Sequence, residues 1–530
     1  MNRLACWWRP ETGFFLILWL GLLAAGRSSL FHDPGTFWHT VVGERLISRH
    51  QLIYTDPFSF TFAGQAWIPH QWLGECLMAL AHRIDGLDTL LLVAVTVLAA
   101  VYTWVGHRLL RAGMHWSLTL VFLLLLVAAS SSHFHIRPHL ATMVGMAVTM
   151  AFLCDFEAGR IRTGQIAWLV PVFIIWANIH GGMLGGLCTF GLAVVAWCAI
   201  GLVRRRGPVV DLRTAVLLGC IVLACGLGAF VNPYGWRLPW TWLSIMDSPL
   251  LPHIIREHAP LDFTSPYGCC MALLALLYIA ALVSAMPRLR ITWLLPLLWF
   301  YLASTRVRHA PLFSLVAAVA FADMLPHTRW AAYLVRSGSD WFRMPAADEP
   351  HERFSWRPML LPACVVAVAF VTQLERCPVP VIGHGWARLD PDDWPLELLP
   401  KLREAQGLAA DRESPSRPRI FNEYADGGFL IYFAPGFQVF VDDRCELYGD
   451  AWLQAYVEAE STSATPAVRS WQERYRKGNE PAFTYALARH GSTFDVYFGA
   501  SKEWSIVKRT PTATLYKRDS KTAVARATSP

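Results

Sequence analysis

Apolar residues fall along this chain in long, nearly unbroken blocks, and the blocks stop near residue 375. About 20 apolar residues in a helix cross the hydrocarbon core of a bilayer. Eleven blocks meet or approach that length: roughly 13–31, 87–106, 116–132, 139–156, 164–179, 183–203, 214–231, 267–286, 291–305, 310–325 and 359–374. The fifth and ninth are short, so ten or twelve spans is the competing count. The first block lacks a small-residue cleavage site and many spans follow it, so it reads as a retained helix and not as a signal peptide.

Beyond about 376 the pattern changes to that of a water-facing domain. Residues 378–418 read as a linker with short helices. The stretches PRIFNEY, FQVFVDDR, TFDVYFG and ATLYKR read as strands, with helices near 450–460 and 480–490, which makes a small α/β domain. The expected architecture is a mainly α-helical polytopic membrane domain over 1–375, with a structured first outer loop at 32–86, and a linker plus α/β domain over 376–530.

Composition supports that division. Of 530 residues 54% are hydrophobic and only 16% charged, with mean hydropathy +0.35; soluble domains carry about 25% charged residues. The net charge of +7 does not indicate nucleic acid, because no Lys precedes Lys401 and the Arg sit in short loops, with no basic stripe to track phosphodiesters. Arg3 and Arg9, Arg108 and Arg111, Arg160 and Arg162, Arg204–Arg206 with Arg213, Arg288 and Arg290, and five Arg of 326–357 occupy every second loop. Arg-rich loops stay cytoplasmic. The N-terminus is therefore expected inside and, after eleven crossings, the C-terminal domain outside. Most of the twelve Cys lie in apolar runs, where Cys is a small buried hydrophobe. No CxxC occurs. Cys377 and Cys445 would face an oxidising compartment and are candidates for a disulfide.

This topology collects most of the 18 His on the outer side, where imidazoles transfer protons, bind phosphate or ligate metals. In the first outer loop Pro34-Gly35 breaks the chain, and Thr36–Arg49 reads as an amphipathic helix with Phe37, Val41, Val42 and Leu46 on one side. YTDPFSFTFAGQAWIPHQWLGE then reads as extended, and 72–84 as helical. Asp33 and Asp56 both precede Pro. Each is either a turn or cap residue or a carboxylate at the membrane boundary that acts as a base on a hydroxyl.

Five further outer ends are polar: SSHFHIRPH (131–139), WANIHGG (176–182), NPYGWR (232–237), REHAPLDF (256–263) and RVRHAP (306–311). A single such residue snorkels or caps a helix; five clusters facing one compartment suggest a shared site. Arg137, Arg237, Arg306 and Arg308 suit a phosphate through forked, charge-assisted hydrogen bonds. His133, His135 and His139 are metal-ligand candidates, with Asp33 or Asp56, although no spacing is diagnostic. No cofactor is otherwise indicated, and a divalent metal stays open.

DPGTFWHTVVGERLI, TDPFSFTFAGQAWIPHQWLGE, RPHLAT, WANIHGG, NPYGWR and FNEYADGGFLIYFAPGFQVFVDDRCELYG together resemble a group of bacterial polytopic membrane proteins assigned to the GT-C glycosyltransferase superfamily, alongside protein O-mannosyltransferases and aminoarabinose transferases. The resemblance covers about 30–450. It implies a sugar donor linked to polyprenyl phosphate, transfer on the outer face to a glycan, lipid or protein acceptor, Asp33 as catalytic base and Asp56 as second acid. Arg137, Arg237, Arg306, Arg308 and His180 would then bind donor phosphate, with His70, Trp72, Glu75, His139 and Asn178 also in the pocket. One departure stands out: the group's His-Glu-Trp-Leu reads His70-Gln71-Trp72-Leu73 here, which removes an acid unless Glu75 serves.

In the C-terminal domain neither GxGxxG nor GxxxxGK[ST] is present. Asp442, Asp443, Arg444 and Glu446 follow a strand's carboxyl end, where ligands often bind; a charged turn with an internal ion pair explains them equally. Two other functions remain open: a transporter or flippase of a lipid-linked substrate, and a non-catalytic envelope assembly protein. No internal repeat supports the transporter.

Overall fold

The computed structural model describes residues 8–204, 207–251, 256–285, 289–345, 357–374, 385–407, 417–478 and 480–519. Cys377, Arg288, Arg205 and Arg206 lie outside them, so the Cys377–Cys445 pairing does as well. Nine helices among the described residues are long and apolar enough to cross a membrane: Pro10–Ser29, Trp72–Arg111, Trp116–His133, Leu140–Glu157, Met183–Gly201, Leu212–Phe230, Pro266–Ser284, Val307–His327 and Arg357–Leu374. Two shorter apolar helices, Thr163–Ile179 and Ile291–Thr305, are the two blocks that the pattern marks as short. The protein is a multi-pass membrane protein. Trp72–Arg111 is interrupted at Asp85 and at Gly86, whose φ of 63° is left-handed; this separates the predicted 72–84 helix from the predicted span at 87.

The chain divides into two compact units. The first comprises residues 1–27, 81–239 and 255–387. At its centre is Val307–His327, 89% buried. Ala317, Ala318, Ala320, Ala322 and Ser314 are buried along it, and such small side chains let neighbouring helices approach closely. The C-terminal ends of Trp72–Arg111, Leu140–Glu157 and Val307–His327 and the start of Ile291–Thr305 carry a charge network. Arg108 forks onto Asp155 at 3.1 and 2.8 Å. Arg160 and Arg290 converge on the fully buried Asp323 carboxylate, which also accepts from Trp293 Nε1 at 2.8 Å. Glu157 receives the Ile291 and Thr292 backbone N–H groups, each at 2.8 Å.

The second unit comprises residues 28–80, 240–254 and 388–530, so the first loop groups with the C-terminal residues. Its sheet has five strands: β1 (Arg419–Asn422), β2 (Gln438–Val439), β3 (Tyr485–Arg489), β4 (Trp504–Arg509) and β5 (Ala513–Arg518). The order is β2-β1-β3-β5-β4, with β2, β1 and β3 parallel and the rest antiparallel. The first loop adds a rung at the edge: Phe60 N–H donates to Val439 O at 3.0 Å and Val439 N–H to Phe58 O at 3.2 Å. The predicted amphipathic helix is Gly35–Arg49, with Phe37, Val41, Val42 and Leu46 buried. It packs on the helix Gly427–Phe433, and a Cβ on Gly428 would sit 2.3 Å from Pro34 O. Phe37 is enclosed by Trp394, Phe429, Tyr432 and Phe433.

Two expectations in this unit are corrected. TFDVYFG is the helix Thr493–Ala500 and not a strand, because Ser492 caps it by accepting the Asp495 N–H at 3.2 Å. Residues 485–489 are β3 and not a helix: Ala486, Leu487 and Ala488 are fully buried between β1 and β5, and tertiary burial overrides the helical preference of Ala.

Glu423, just after β1, has a titration consequence. Its Oε1 accepts from Arg489 N–H at 2.7 Å and from Ser492 Oγ at 2.6 Å. Burial still pushes its carboxyl up to about 7, against those hydrogen bonds. A carboxyl whose value is higher folded than unfolded gives stability that is complete below its unfolded value and is lost as pH rises through about 7. Glu423→Gln keeps the accepting oxygen but not the charge. The fall in unfolding temperature between pH 5 and pH 8 is expected to shrink in this variant, by the equivalent of roughly 1–3 kcal/mol. An unchanged fall, measured by thermal unfolding of the purified protein, would refute this.

Candidate functional site

At the ends of the first unit's helices opposite the charge network, the chain assembles a group of imidazoles and guanidinium groups. WANIHGG builds one wall. Cβ atoms on Gly145 and Gly186 would come within 2.5 Å of the Trp176 ring, so only glycine admits the indole there. Trp176 Nε1 donates to Thr142 Oγ1 at 2.9 Å, and the Thr142 hydroxyl lies 2.8 Å from His180 Nδ1. Gly182 N–H also donates to that nitrogen at 2.9 Å. His180 Nδ1 is therefore an acceptor, and the neutral ring carries its proton on Nε2. Asn178 is a tie: its amide donates to Ile174 O and Val231 O at 2.8 and 2.9 Å.

SSHFHIRPH supplies the second wall. The His133 ring lies 5.3 Å from that of His135 and 4.7 Å from that of His139, and the His139 ring lies 6.4 Å from that of His180. His139 Nε2 is 3.2 Å from His133 O and donates to it. The third wall is REHAPLDF. Glu257 Oε1 is 3.4 Å from Arg137 and 3.9 Å from His133 Nδ1. Burial works against the Glu257 charge, but His133, Arg137, His135 and Arg308 outweigh it and hold the carboxyl below its usual range. RVRHAP closes the group: Arg308 donates to His258 Nε2 at 2.6 Å. Burial, then Arg308 and Arg306, lower His258 to about 4, so its ring is neutral at pH 7 and carries its proton on Nδ1.

The two ends of these helices differ in one respect. At the Asp155–Asp323 end every carboxylate is met by an arginine or by backbone N–H groups, and among the described residues only Arg108 Nε is buried there with no hydrogen-bond partner. At the His end, Nδ1 of His133, His135, His139 and His258 are all buried with no hydrogen-bond partner among the described residues. Buried polar atoms normally have one, which makes this group of four a candidate ligand site. His258 Nδ1–H and the Arg137, Arg306 and Arg308 guanidinium groups suit an anion. His133, His135 and Glu257 place ligand atoms within 4.8 Å of one another, a donor set that also fits a divalent cation; of the three expected metal candidates, His139 gives way to Glu257 in it. Glu257 and His258 are additions to the expected site residues, although REHAPLDF is marked in the sequence as a polar span end. Arg237 opens the helix Arg237–Asp247.

The carboxylates of the first loop belong to the second unit. Asp33 is 7% exposed, and its Oδ1 accepts the Gly35 N–H at 2.9 Å at the start of Gly35–Arg49. Its neighbours are fixed: Trp394 Nε1 donates to Phe31 O at 3.0 Å and His32 Nε2 lies 3.2 Å from Asp393. Asp56 is engaged at both oxygens. It accepts from Phe58 N–H and Ser59 N–H, each at 3.0 Å, and from the Ser59 hydroxyl, and pairs with Arg444 at 2.7 Å. Trp67 Nε1 donates to Glu446 at 2.8 Å, and His70 lies 3.6 Å from the same carboxylate. Trp72 begins the helix that carries Glu75. The Glu75 side chain is 1% exposed and bonded to His39 Nδ1 at 2.8 Å. It is sealed where a Cβ on Gly43 would meet its carbonyl at 1.9 Å.

No protein-family model matches the sequence, and no curated protein matches it. Solved structures do. ArnT from Cupriavidus metallidurans, bound to undecaprenyl phosphate, aligns with a TM-score of 0.51 over 96% of this chain and 97% of its own, at 14% identity. The archaeal oligosaccharyltransferase AglB from Archaeoglobus fulgidus, in complex with an inhibitory peptide and a dolichol-phosphate, aligns with a TM-score of 0.54 over 96% of this chain and 74% of its own, at 10% identity. An Archaeoglobus fulgidus oligosaccharyltransferase tethered to an acceptor peptide gives a TM-score of 0.53 over 90% and 69%, at 11% identity. The chain has the fold of the GT-C glycosyltransferases.

Proposed function

We propose that this protein is a membrane glycosyltransferase that moves a sugar from a polyprenyl-phosphate-linked donor to an acceptor hydroxyl on the extracytoplasmic face of a bacterial inner membrane. The observation that carries the reading is the cationic His/Arg group with its four buried imidazole nitrogens that have no partner among the described residues, on a fold shared with a protein solved bound to undecaprenyl phosphate. The alternating Arg-rich loops support the orientation.

In this reading Arg137, Arg306 and Arg308, with the N–H groups of His258 and His180, hold the donor phosphate. They stabilise the charge that develops on it as the glycosidic bond breaks. Asp33 takes the proton of the acceptor hydroxyl as that oxygen attacks the anomeric carbon, and a single displacement of this kind inverts the centre. Asp56, engaged at both oxygens, shapes the loop and holds Arg444. Glu75, sealed against His39, supports the helix pair. A divalent ion on His133, His135 and Glu257 would add charge stabilisation beside the phosphate.

Binding of undecaprenyl phosphate to the purified protein in nanodiscs tests the reading. Arg137→Gln and Arg308→Gln each remove one charged donor, worth about 1.5–3 kcal/mol, so affinity should fall at least tenfold in each. Equal affinity in both variants and the parent would remove the phosphate from this group.

A further inference from the structure

The helix Arg237–Asp247 follows the span Leu212–Phe230 after the short connection 231–236. One arc is conventional: Leu238 and Trp242 are 0% and 3% exposed. On a second arc Trp236, Trp240, Leu243 and Met246 recur every three or four residues, and each is more than half exposed. Residues at that spacing share one face of a helix. Arg237 and Ser244 border this stripe on the helical wheel. Eleven residues are too few to cross a bilayer.

The chain itself indicates what covers the stripe. Leu227, Phe230 and Val231, at the end of the preceding span, are also more than half exposed, and on a membrane span such residues face lipid. The connection 231–236 reaches at most about 20 Å, so the helix starts near the membrane–water boundary. The apolar exposure runs on from the span through the turn into the helix, and two of its four residues are Trp, the side chain that gathers at membrane interfaces. Past the helix, Ser248 Oγ donates to Asp450 Oδ1 at 2.6 Å, and residues 240–254 group with the α/β unit.

We propose that Arg237–Asp247 lies in the membrane plane, with Trp236, Trp240, Leu243 and Met246 in the headgroup–acyl boundary of the phospholipid bilayer. An in-plane helix buries its apolar face about 5–10 Å into this zone. The proposal does not depend on the catalytic reading.

Spin labels introduced through an unnatural amino acid at 240, 243 or 244 of the full-length protein in phospholipid nanodiscs test it by accessibility to oxygen and to a water-soluble nickel chelate. Labels at 240 and 243 should favour oxygen, and the label at 244 should shift toward the chelate. Chelate access at 240 and 243 equal to that at 244 would overturn the proposal by placing the stripe in water. Exclusion of both reagents at 240 and 243 would overturn it by placing protein over the stripe.

Discussion

Asp33→Asn is expected to abolish sugar transfer while leaving the amount and unfolding temperature of the protein unchanged. The reason lies in what the side chain already does. Its Oδ1 accepts the Gly35 N–H at 2.9 Å in a turn that leads into the helix Gly35–Arg49. Asn makes such turns as Asp does, so the amide oxygen keeps this hydrogen bond. What the amide loses is the lone pair that takes a proton, and removal of a general base costs about 10²–10⁴ in rate. Asp33→Ala separates the two roles, because it loses the base and also the hydrogen bond, with a further cost of about 1 kcal/mol in stability. The readout is the surface glycan that disappears when the gene is deleted, followed beside the protein level in the membrane fraction. A normal glycan with Asp33→Asn would reduce Asp33 to a turn residue and remove the base from the proposed reaction.

The parts of this molecule that its sequence revealed are those set by local physical chemistry. Apolar length is a local property, so the eleven apolar helices among the described residues were legible, including Thr163–Ile179 and Ile291–Thr305, which are short. A polar residue at the end of a span is also a local fact, and it marked Arg137, His139, His180 and Arg308. That Glu257 joins them was not legible, because its carboxylate is placed by the fold of the loop before Pro266–Ser284 and not by any helical spacing. Nor was the exchange at 485–500 legible. YALAR is alanine-rich and reads as helix until β1 and β5 enclose it. TFDVYFG reads as strand until Ser492 caps it. Asp56 and Asp33 looked alike as Asp-Pro pairs. They differ because Arg444, far along the chain, reaches Asp56.

That ion pair supports the largest stability effect expected here. The Arg444 side chain is fully buried. It bridges Asp56 at 2.7 Å and Asp442 at 2.6 and 2.8 Å, and its guanidinium lies over the Trp67 and Phe58 rings at 4.6 and 5.1 Å. Burial disfavours its charge, but Asp442 and Asp56 outweigh that and raise it well above the usual Arg range. Arg444→Met fills similar volume with no charge and leaves the buried Asp56 and Asp442 carboxylates without their shared cation. Breaking a buried pair from one side costs about 3–5 kcal/mol, enough to unfold a marginal unit. Adding Asp56→Asn and Asp442→Asn to the Arg444→Met variant should restore much of the loss at pH 7, because no unpaired charge remains. Thermal unfolding of the purified protein at pH 7.5 reads both outcomes. An Arg444→Met protein as stable as its parent at pH 7.5 would show that the triad contributes no net stability, and that the first loop is held to the sheet by its other contacts, among them the Phe58, Phe60 and Val439 rung and the Trp67–Glu446 hydrogen bond.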